Sequence, residues 1–178
     1  AVGRGGSGGV ISRISKTADG TPVRRVVTAG GSYGNKRIEA DFGDRVSGTS
    51  ALRLNAMIED SGTFRQYGDL ERQGFNPTAT FSLAEKTRLQ TGYEHFHDSR
   101  FNDRGIPSFN GAPYYTTPSK FFGDPTQNNS TATINSGYAI VTHDITPELR
   151  LRNYTRYTDN SKFYQNVYAG RALNSAGN

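Results

Sequence analysis

Two histidines at i and i+2, in Glu94-His95-Phe96-His97-Asp98, have the residue types and spacing closest to a metal site. Imidazole is the commonest metal ligand, and that spacing puts both rings on one face of a strand. The set stops there. The chain holds three histidines and no cysteine, so the ligand count falls short of a closed four-coordinate site. These histidines read as side chains near a strand end. Gly3-Arg4-Gly5-Gly6-Ser7-Gly8-Gly9 has the glycine density of a phosphate cradle. A phosphate loop, however, needs Gly-Lys-Ser/Thr opening a helix. Here Val10-Ile11-Ser12-Arg13-Ile14-Ser15 follows, which reads as a strand. No serine stands in Gly-x-Ser-x-Gly ahead of a helix. Glu59 and Asp60 are adjacent, so on a strand their carboxylates diverge. The residues offer no catalytic set, no metal site and no cofactor; the chain reads as a protein that is not an enzyme.

The segment from Phe101 to Ser130 has a different composition. Phe109, Tyr114, Tyr115, Phe121 and Phe122 lie among Pro107, Pro113, Pro118 and Pro125, with Arg104 and Lys120 adding positive charge. Long loops without secondary structure are usually functional or disordered, and rigid prolines with many aromatics argue against disorder. Such side chains suit a planar, anionic, aromatic ligand through stacking and cation–π contact. The competing reading is that they fold the loop on itself.

These residues need a scaffold, and alternation along the chain supplies one. Leu52, Leu54, Ala56 and Ile58 alternate with Arg53, Asn55, Met57 and Glu59. Ile38, Ala40 and Phe42 alternate with Arg37, Glu39 and Asp41; Ala79, Phe81 and Leu83 with Thr78, Thr80 and Ser82. Leu89, Thr91 and Tyr93 oppose Gln90 and Glu94, and Leu149 and Leu151 oppose Arg150 and Arg152, with Tyr154 and Arg156 continuing the polar face. Period-two alternation predicts strands, since successive side chains leave a strand on opposite faces. With 23–33 and a weaker segment at 132–143, whose faces the pattern leaves unassigned, this gives seven strands and almost no helix.

Turn sizes alternate as well. Ser47-Gly48-Thr49, Ala84-Glu85-Lys86-Thr87 and Thr146-Pro147-Glu148 are tight and fall on one side of a meander. Long connections near 62–72 and 101–130 fall on the other, with one tight turn at Gly34-Asn35-Lys36. Short turns on one side and long loops on the other are the habit of outer-membrane barrels. Tyr93, Phe96, Tyr154, Tyr157, Phe163 and Tyr164 are expected towards the long-loop ends, as an interfacial girdle.

Composition sets further bounds. The chain has 178 residues, 33% hydrophobic content, 21 glycines and a formal net charge of +5. Charges alternate in sign along the strands instead of forming the run or stripe of a nucleic-acid partner. No apolar stretch is long enough for a transmembrane helix, which leaves membrane strands open because their alternation averages hydropathy away. No signal peptide is evident, and both ends read as cut from a longer chain. The alternative is a self-contained soluble or surface β-sheet binding module with a closed sheet.

The chain resembles TonB-dependent outer-membrane receptors, specifically the catecholate-type ferric-siderophore receptors. The residues that carry the likeness begin with Gly3 to Arg13, similar to the last turn and strand of the family's plug domain, and Gly31-Ser32-Tyr33-Gly34, similar to the end of the first barrel strand. Tyr93-Glu94-His95, Asp103-Arg104-Gly105-Ile106-Pro107-Ser108, Phe121-Phe122-Gly123-Asp124-Pro125 and Phe163-Tyr164-Gln165-Asn166-Val167-Tyr168 continue it. The resemblance implies an all-β chain. It would be about seven strands of a 22-stranded antiparallel up-and-down transmembrane barrel, preceded by the end of a plug. Residues 1–18 would be that plug end, and 19–178 the N-terminal part of the barrel. It implies a ferric siderophore as ligand, with iron only as that complex, outer-membrane lipid around the wall, and the inner-membrane TonB complex as partner of the full-length receptor. The TonB box and most of the plug have no counterpart in this sequence. Arg104, Phe109, Tyr114, Tyr115, Phe121 and Phe122 are the expected ligand contacts. Arg4 and Arg13 are expected to reach Glu39 or Glu59 between plug and barrel.

Overall fold

The computed structural model describes residues 14–168 and 170. They form one antiparallel meander. β1 spans Val23–Gly30, β2 Lys36–Arg45, β3 Ser50–Gly62, β4 Asp69–Ala84 and β5 Thr87–Phe101. A two-residue hairpin, β6 (Ser108–Phe109) and β7 (Ala112–Pro113), sits within the long loop. β8 (Asn129–Asp144) and β9 (Arg150–Tyr164) complete the sheet. The main sheet runs β1-β2-β3-β4-β5-β8-β9, each strand beside its neighbour in sequence, as the alternation predicts. Among the described residues the only helical element is the 3₁₀ turn Ser32–Gly34. No helix among them is long and apolar enough to cross a membrane, which says nothing of crossing by strands.

Local chemistry places the turns. At 145–149, the Thr146 hydroxyl accepts from the N–H groups of Glu148 (3.3 Å) and Leu149 (3.1 Å), while Pro147 presets its φ. At 46–49 the Ser47 hydroxyl accepts from the Thr49 N–H at 3.2 Å. These turns and the 85–86 turn lie at one end of the sheet; the 31–35, 63–68 and 102–128 connections lie at the other.

Two boundaries differ from expectation. The first strand stops at Gly30, because Tyr33 takes a left-handed conformation (φ 60°) inside the turn. The loop expected over 62–72 shrinks to 63–68, because the ladder runs on through Gly62↔Asp69 and holds Arg72 opposite Glu59. Beyond the alternating region both faces of these strands are polar, so the hydrophobic period gives no warning that pairing continues.

Register assigns the faces. Ile38↔Ile58, Ala56↔Phe75 and Leu89↔Val141 lie on one face, and Arg37↔Glu59, Arg72↔Asp98 and Tyr138↔Arg156 on the other. β8, unassigned by pattern, puts Ala139 and Val141 on the apolar face and Tyr138 and Ile140 on the polar one. The Tyr138 ring lies over Gly92, where a Cβ would stand 2.6 Å from it. The aromatic girdle is corrected here. Tyr93, Tyr157 and Phe163 share the apolar face, whereas Phe96, Tyr154 and Tyr164 lie on the polar one, opposite Ile134, Ile140 and Ser130.

Burial is inverted relative to a soluble fold. Ile38, Phe42, Leu52, Ile58, Phe75, Leu83 and Leu151 are exposed, whereas Asp41 (6%), Asp98 (4%) and Ser136 (3%) are buried. An exposed apolar face this wide needs a non-aqueous neighbour.

Candidate functional site

The polar face is built from paired charges. Arg37 on β2 donates to Glu59 on β3 at 3.0 Å. Arg72 on β4 lies 3.6 Å from the same Glu59 carboxylate and donates to Asp98 on β5 at 2.8 Å. Arg100 closes the line with two bonds of 2.6 Å to Asp98. Four adjacent strands are thus tied by alternating charge. The arrangement follows from register: each of these residues meets its opposite sign directly across the ladder or two residues along it. Desolvated charges persist only when paired in this way.

A second cluster lies nearer the short turns. Arg53 grips Asp41 with two bonds of 2.9 Å. Lys16, from the segment ahead of β1, adds a third at 2.7 Å. Arg53 also donates to the Thr17 carbonyl at 3.3 Å, and Ala18 beside it is 2% exposed. The segment before the first strand therefore lies on the charged face. In the same segment, Asp19 accepts from the Thr21 N–H at 2.9 Å, which lowers its pKa below the usual carboxylate value. Between the clusters is a concavity of about 350 Å³ lined by Arg25, Arg37, Asn55, Arg72, Asn76 and Glu94 among others.

The expected plug contacts are partly outside this picture. Arg4 and Arg13 lie outside the described residues. Glu39 is held by Arg37 at 2.7 Å, and Glu59 by Arg37 and Arg72, all within the wall. The contact made by the preceding segment, Lys16 on Asp41, went unread in the sequence. Its signal was available: Asp41 and Arg53 both belong to the polar alternation.

The long loop is organised in three parts. Asn128, 1% exposed, is the knot at its base. Its amide donates to the carbonyls of Asn102 (3.2 Å) and Val167 (2.9 Å), and its oxygen accepts the Val167 N–H at 2.7 Å. Gly123 is required beside it, since a Cβ there would lie 2.4 Å from the Asn128 amide nitrogen and 2.6 Å from the Val167 carbonyl. Asp124 shapes the adjoining turn by accepting from the Thr126 N–H (2.8 Å), the Thr126 hydroxyl (2.7 Å) and the Gln127 amide (2.7 Å). The Thr126 bonds first, then that from Gln127, hold its pKa below the ordinary value of 3.8.

Arg65 forms the second part. It reaches from the 63–68 loop to the Asp103 carboxylate at 2.6 Å, the Lys120 carbonyl at 2.9 Å and the Pro118 carbonyl. The Gln66 N–H donates to the Ser119 carbonyl at 2.9 Å. The two loops are consequently one body.

The third part is aromatic, and it sorts the six expected ligand residues. Phe121 is buried, 4.5 Å from the Phe101 ring centroid and 6.3 Å from that of Tyr67, so it holds the loop together. Phe109, Tyr114 and Phe122 form an edge-to-face row with centroid spacings of 6.2 and 6.1 Å. Tyr115 beside them is 98% exposed. Arg104 stands apart, over the Tyr168 ring at 4.9 Å and donating to the Tyr164 hydroxyl at 3.2 Å. His95 and His97 are separate from the loop, bonded through Nδ1 to Asn135 and Thr133, each at 2.8 Å. Among the described residues no cluster of three or more metal-ligating side chains occurs.

No family model matches the chain. The catecholate siderophore receptor Fiu of Escherichia coli K12 is 29% identical over 174 residues, covering 88% of this chain and 22% of the receptor. The metal-pseudopaline receptor CntO of Pseudomonas aeruginosa is 26% identical over 157 residues, covering 87% and 22%. The crystal structure of the ferric-catecholate import receptor Fiu from E. coli, in its closed form, aligns with a TM-score of 0.75 at 25% identity, over 84% of this chain and 23% of that one.

This chain is similar to siderophore receptors. The siderophore receptor PiuA from Acinetobacter baumannii shares the fold at 21% identity and a TM-score of 0.74. The chain spans about a fifth of the length of the curated receptors it matches. All of these relatives are named as receptors, none as an enzyme.

Proposed function

We propose that this chain is a stretch of barrel wall, with its extracellular loops, from an outer-membrane receptor that takes up ferric siderophores with energy from the inner-membrane TonB complex. The observation that carries this reading is the inverted burial: charge ladders on one face, exposed aliphatic and aromatic side chains on the other. Lipid meets the apolar face and the plug lies against the charged one, where Lys16 already reaches Asp41. The self-contained module required a closed sheet; the described sheet ends on β1 and β9, each with one unpaired edge.

Arg104, Tyr114, Tyr115, Phe109 and Phe122 make up the ligand-facing part of the loop in this proposal. A ferric catecholate is anionic and presents flat rings. A guanidinium supplies charge and stacks on rings, and phenols hydrogen-bond to catechol oxygens. Phe121 instead packs on Phe101 and Tyr67. No resident cofactor is required, the iron being cargo.

The test is equilibrium binding of a ferric tris-catecholate to the full-length receptor in detergent. Arg104→Ala and Tyr115→Ala should each weaken binding about tenfold, or about 1.4 kcal/mol. Unchanged affinity, with the loop still protected from protease, would assign both side chains to loop structure alone.

A further inference from the structure

The charged face balances its charge differently at its two ends. Towards the long loops the wall supplies both partners: Arg37, Arg72 and Arg100 each lie on Glu59 or Asp98. Towards the short turns it does not. Arg45 ends β2, Arg88 lies at the start of β5 and Arg152 near the start of β9. Register puts all three on the charged face. Arg45 is opposite Ala51, and Ala51 opposite Thr80. One position nearer the turns on that face, Arg88 is opposite Ser82 and Thr142, and Arg152 is opposite Thr142. Their cross-strand neighbours are thus alanine, serine and threonine. Asp144, the carboxylate on this face beside them, is already held by Arg150. Among the described residues, Arg45, Arg88 and Arg152 meet no carboxylate.

Two concavities join these arginines. One, of about 490 Å³, is lined by Lys86, Arg88, Thr142, Arg150 and Arg152 among others. The other, of about 160 Å³, is lined by Arg45, Thr80, Arg88 and Gln90 and by Ala18 and Asp19 of the segment ahead of β1. Arg88 belongs to both. The Thr80 hydroxyl is buried there without a hydrogen-bond partner. Gly20 has a φ of 85° and lies so close to Arg45 that a Cβ would stand 3.3 Å from its guanidinium. The Asp19 carboxylate is turned to the Thr21 N–H at 2.9 Å rather than to either arginine. The chain ahead of β1 therefore comes in across Arg45 and beside Arg88, without neutralising them.

We infer that Arg45, Arg88 and Arg152 dock an acidic surface of the domain that lies ahead of Lys16 in the full-length receptor. The inference rests on the receptor reading above, in which that domain lies against the charged face, and adds the chemistry and place of a contact. Guanidinium groups shut away from water without counter-charge are costly, and carboxylates that bind them as forks remove that cost. Strands are about 4.8 Å apart, so the backbones of Arg88 and Arg152, two strands apart, are about 10 Å from each other. At that separation two cations enclosed together repel, and salt screens enclosed charges poorly. Lipid headgroups are not the occupant, because the three arginines lie on the face opposite the apolar one. The chain's own preceding domain is, because the segment leading to it already shares a concavity with Arg45 and Arg88. The polarity is the reverse of that expected for Arg4 and Arg13 on Glu39 or Glu59: here the wall provides the cations.

The test uses the full-length receptor in detergent. Arg88→Lys and Arg152→Lys keep the charge and supply an amine, which a carbodiimide joins directly to any carboxylate in contact with it; mass spectrometry then reads the linked peptides. The expected result is an amide, absent from the parent protein, between position 88 or 152 and an aspartate or glutamate ahead of Lys16. Links confined to Asp19, Glu85 or Asp144, or no links, would overturn the docking surface. Arg88→Glu combined with Arg152→Glu gives an independent reading. Like charges brought together cost several kcal/mol, so protease should cut ahead of Lys16 at least about tenfold faster, while the wall resists unfolding as the parent does. Unchanged cutting would also overturn the inference and leave the receptor reading standing. A full-length protein that is a soluble monomer without detergent would remove the receptor reading itself.

Discussion

Arg65 and Asp103 are joined at 2.6 Å across two loops that leave different pairs of strands. The same guanidinium holds the carbonyls of Pro118 and Lys120, and its side chain is 10% exposed. A planar fork of donors can serve a carboxylate and two carbonyls at once; a lysine ammonium on a flexible stem cannot match that geometry. Arg65→Ala should therefore release the 102–128 loop while the wall stays folded. Limited proteolysis should cut within that loop at least several times faster, and Arg65→Lys should not restore protection. An unchanged cleavage rate in the alanine variant counts against the coupling.

Asp98 is the junction of the charge ladder, accepting from Arg72 and Arg100 at once. Removing one partner of a buried pair leaves the other charge desolvated, at a cost of about 3–5 kcal/mol. Asp98→Ala should destabilise the full-length barrel by about 3 kcal/mol, the low end because Arg100 is nearly half exposed. The reading is the denaturant midpoint in detergent. A shift below about 0.5 kcal/mol would place the ladder among weak surface pairs.

Asn128 and Gly123 should fail for different reasons. Asn128→Ala removes the bonds that the Asn102 and Val167 carbonyls and the Val167 N–H make to its side chain, at part-buried positions, each worth about 1 kcal/mol. Gly123→Ala forces a methyl against the Asn128 amide and the Phe121 ring, both at 2.4 Å. Amide hydrogen exchange at 165–168 should quicken in both. Protection equal to the parent protein in either variant would show that the base of the loop is held elsewhere.

Acid should loosen the same region. The Asp124 carboxylate has a lowered pKa because Thr126 and Gln127 donate to it. A group with a depressed folded-state pKa adds stability above its unfolded value, and that stability is lost as pH falls through the folded value. The turn should thus be intact above about pH 3.8 and open progressively below it, with Asp124→Asn removing that pH dependence. Exchange rates at 125–128, followed between pH 5 and 2.5, are the measurement. A pH profile identical in the two proteins would assign the acid response to another group.

Legibility differed between wall and loop. β3 and β5 could be read face by face, because Leu52 to Ile58 and Leu89 to Tyr93 alternate apolar or small side chains with polar ones. β8 could not, since Tyr138 and Ile140 put large apolar groups on the polar face, Tyr138 filling the space over Gly92. Arg72 was hidden in an apparent loop because strands that leave the apolar zone have no contrast between their faces. In the loop, the aromatic content was plain, but nothing local separates buried Phe121 from its neighbour Phe122.

By itself, the sequence determined the meander, the side of each connection and, outside β8, the division into charged and apolar faces. Those depend on period and turn chemistry, which act over a few residues. Only the tertiary structure decided which charges meet, that Lys16 lies on Asp41 and that Arg65 binds two loops into one. These depend on register between strands up to dozens of residues apart in sequence. A local pattern carries no information about what lies opposite until the ladder has formed.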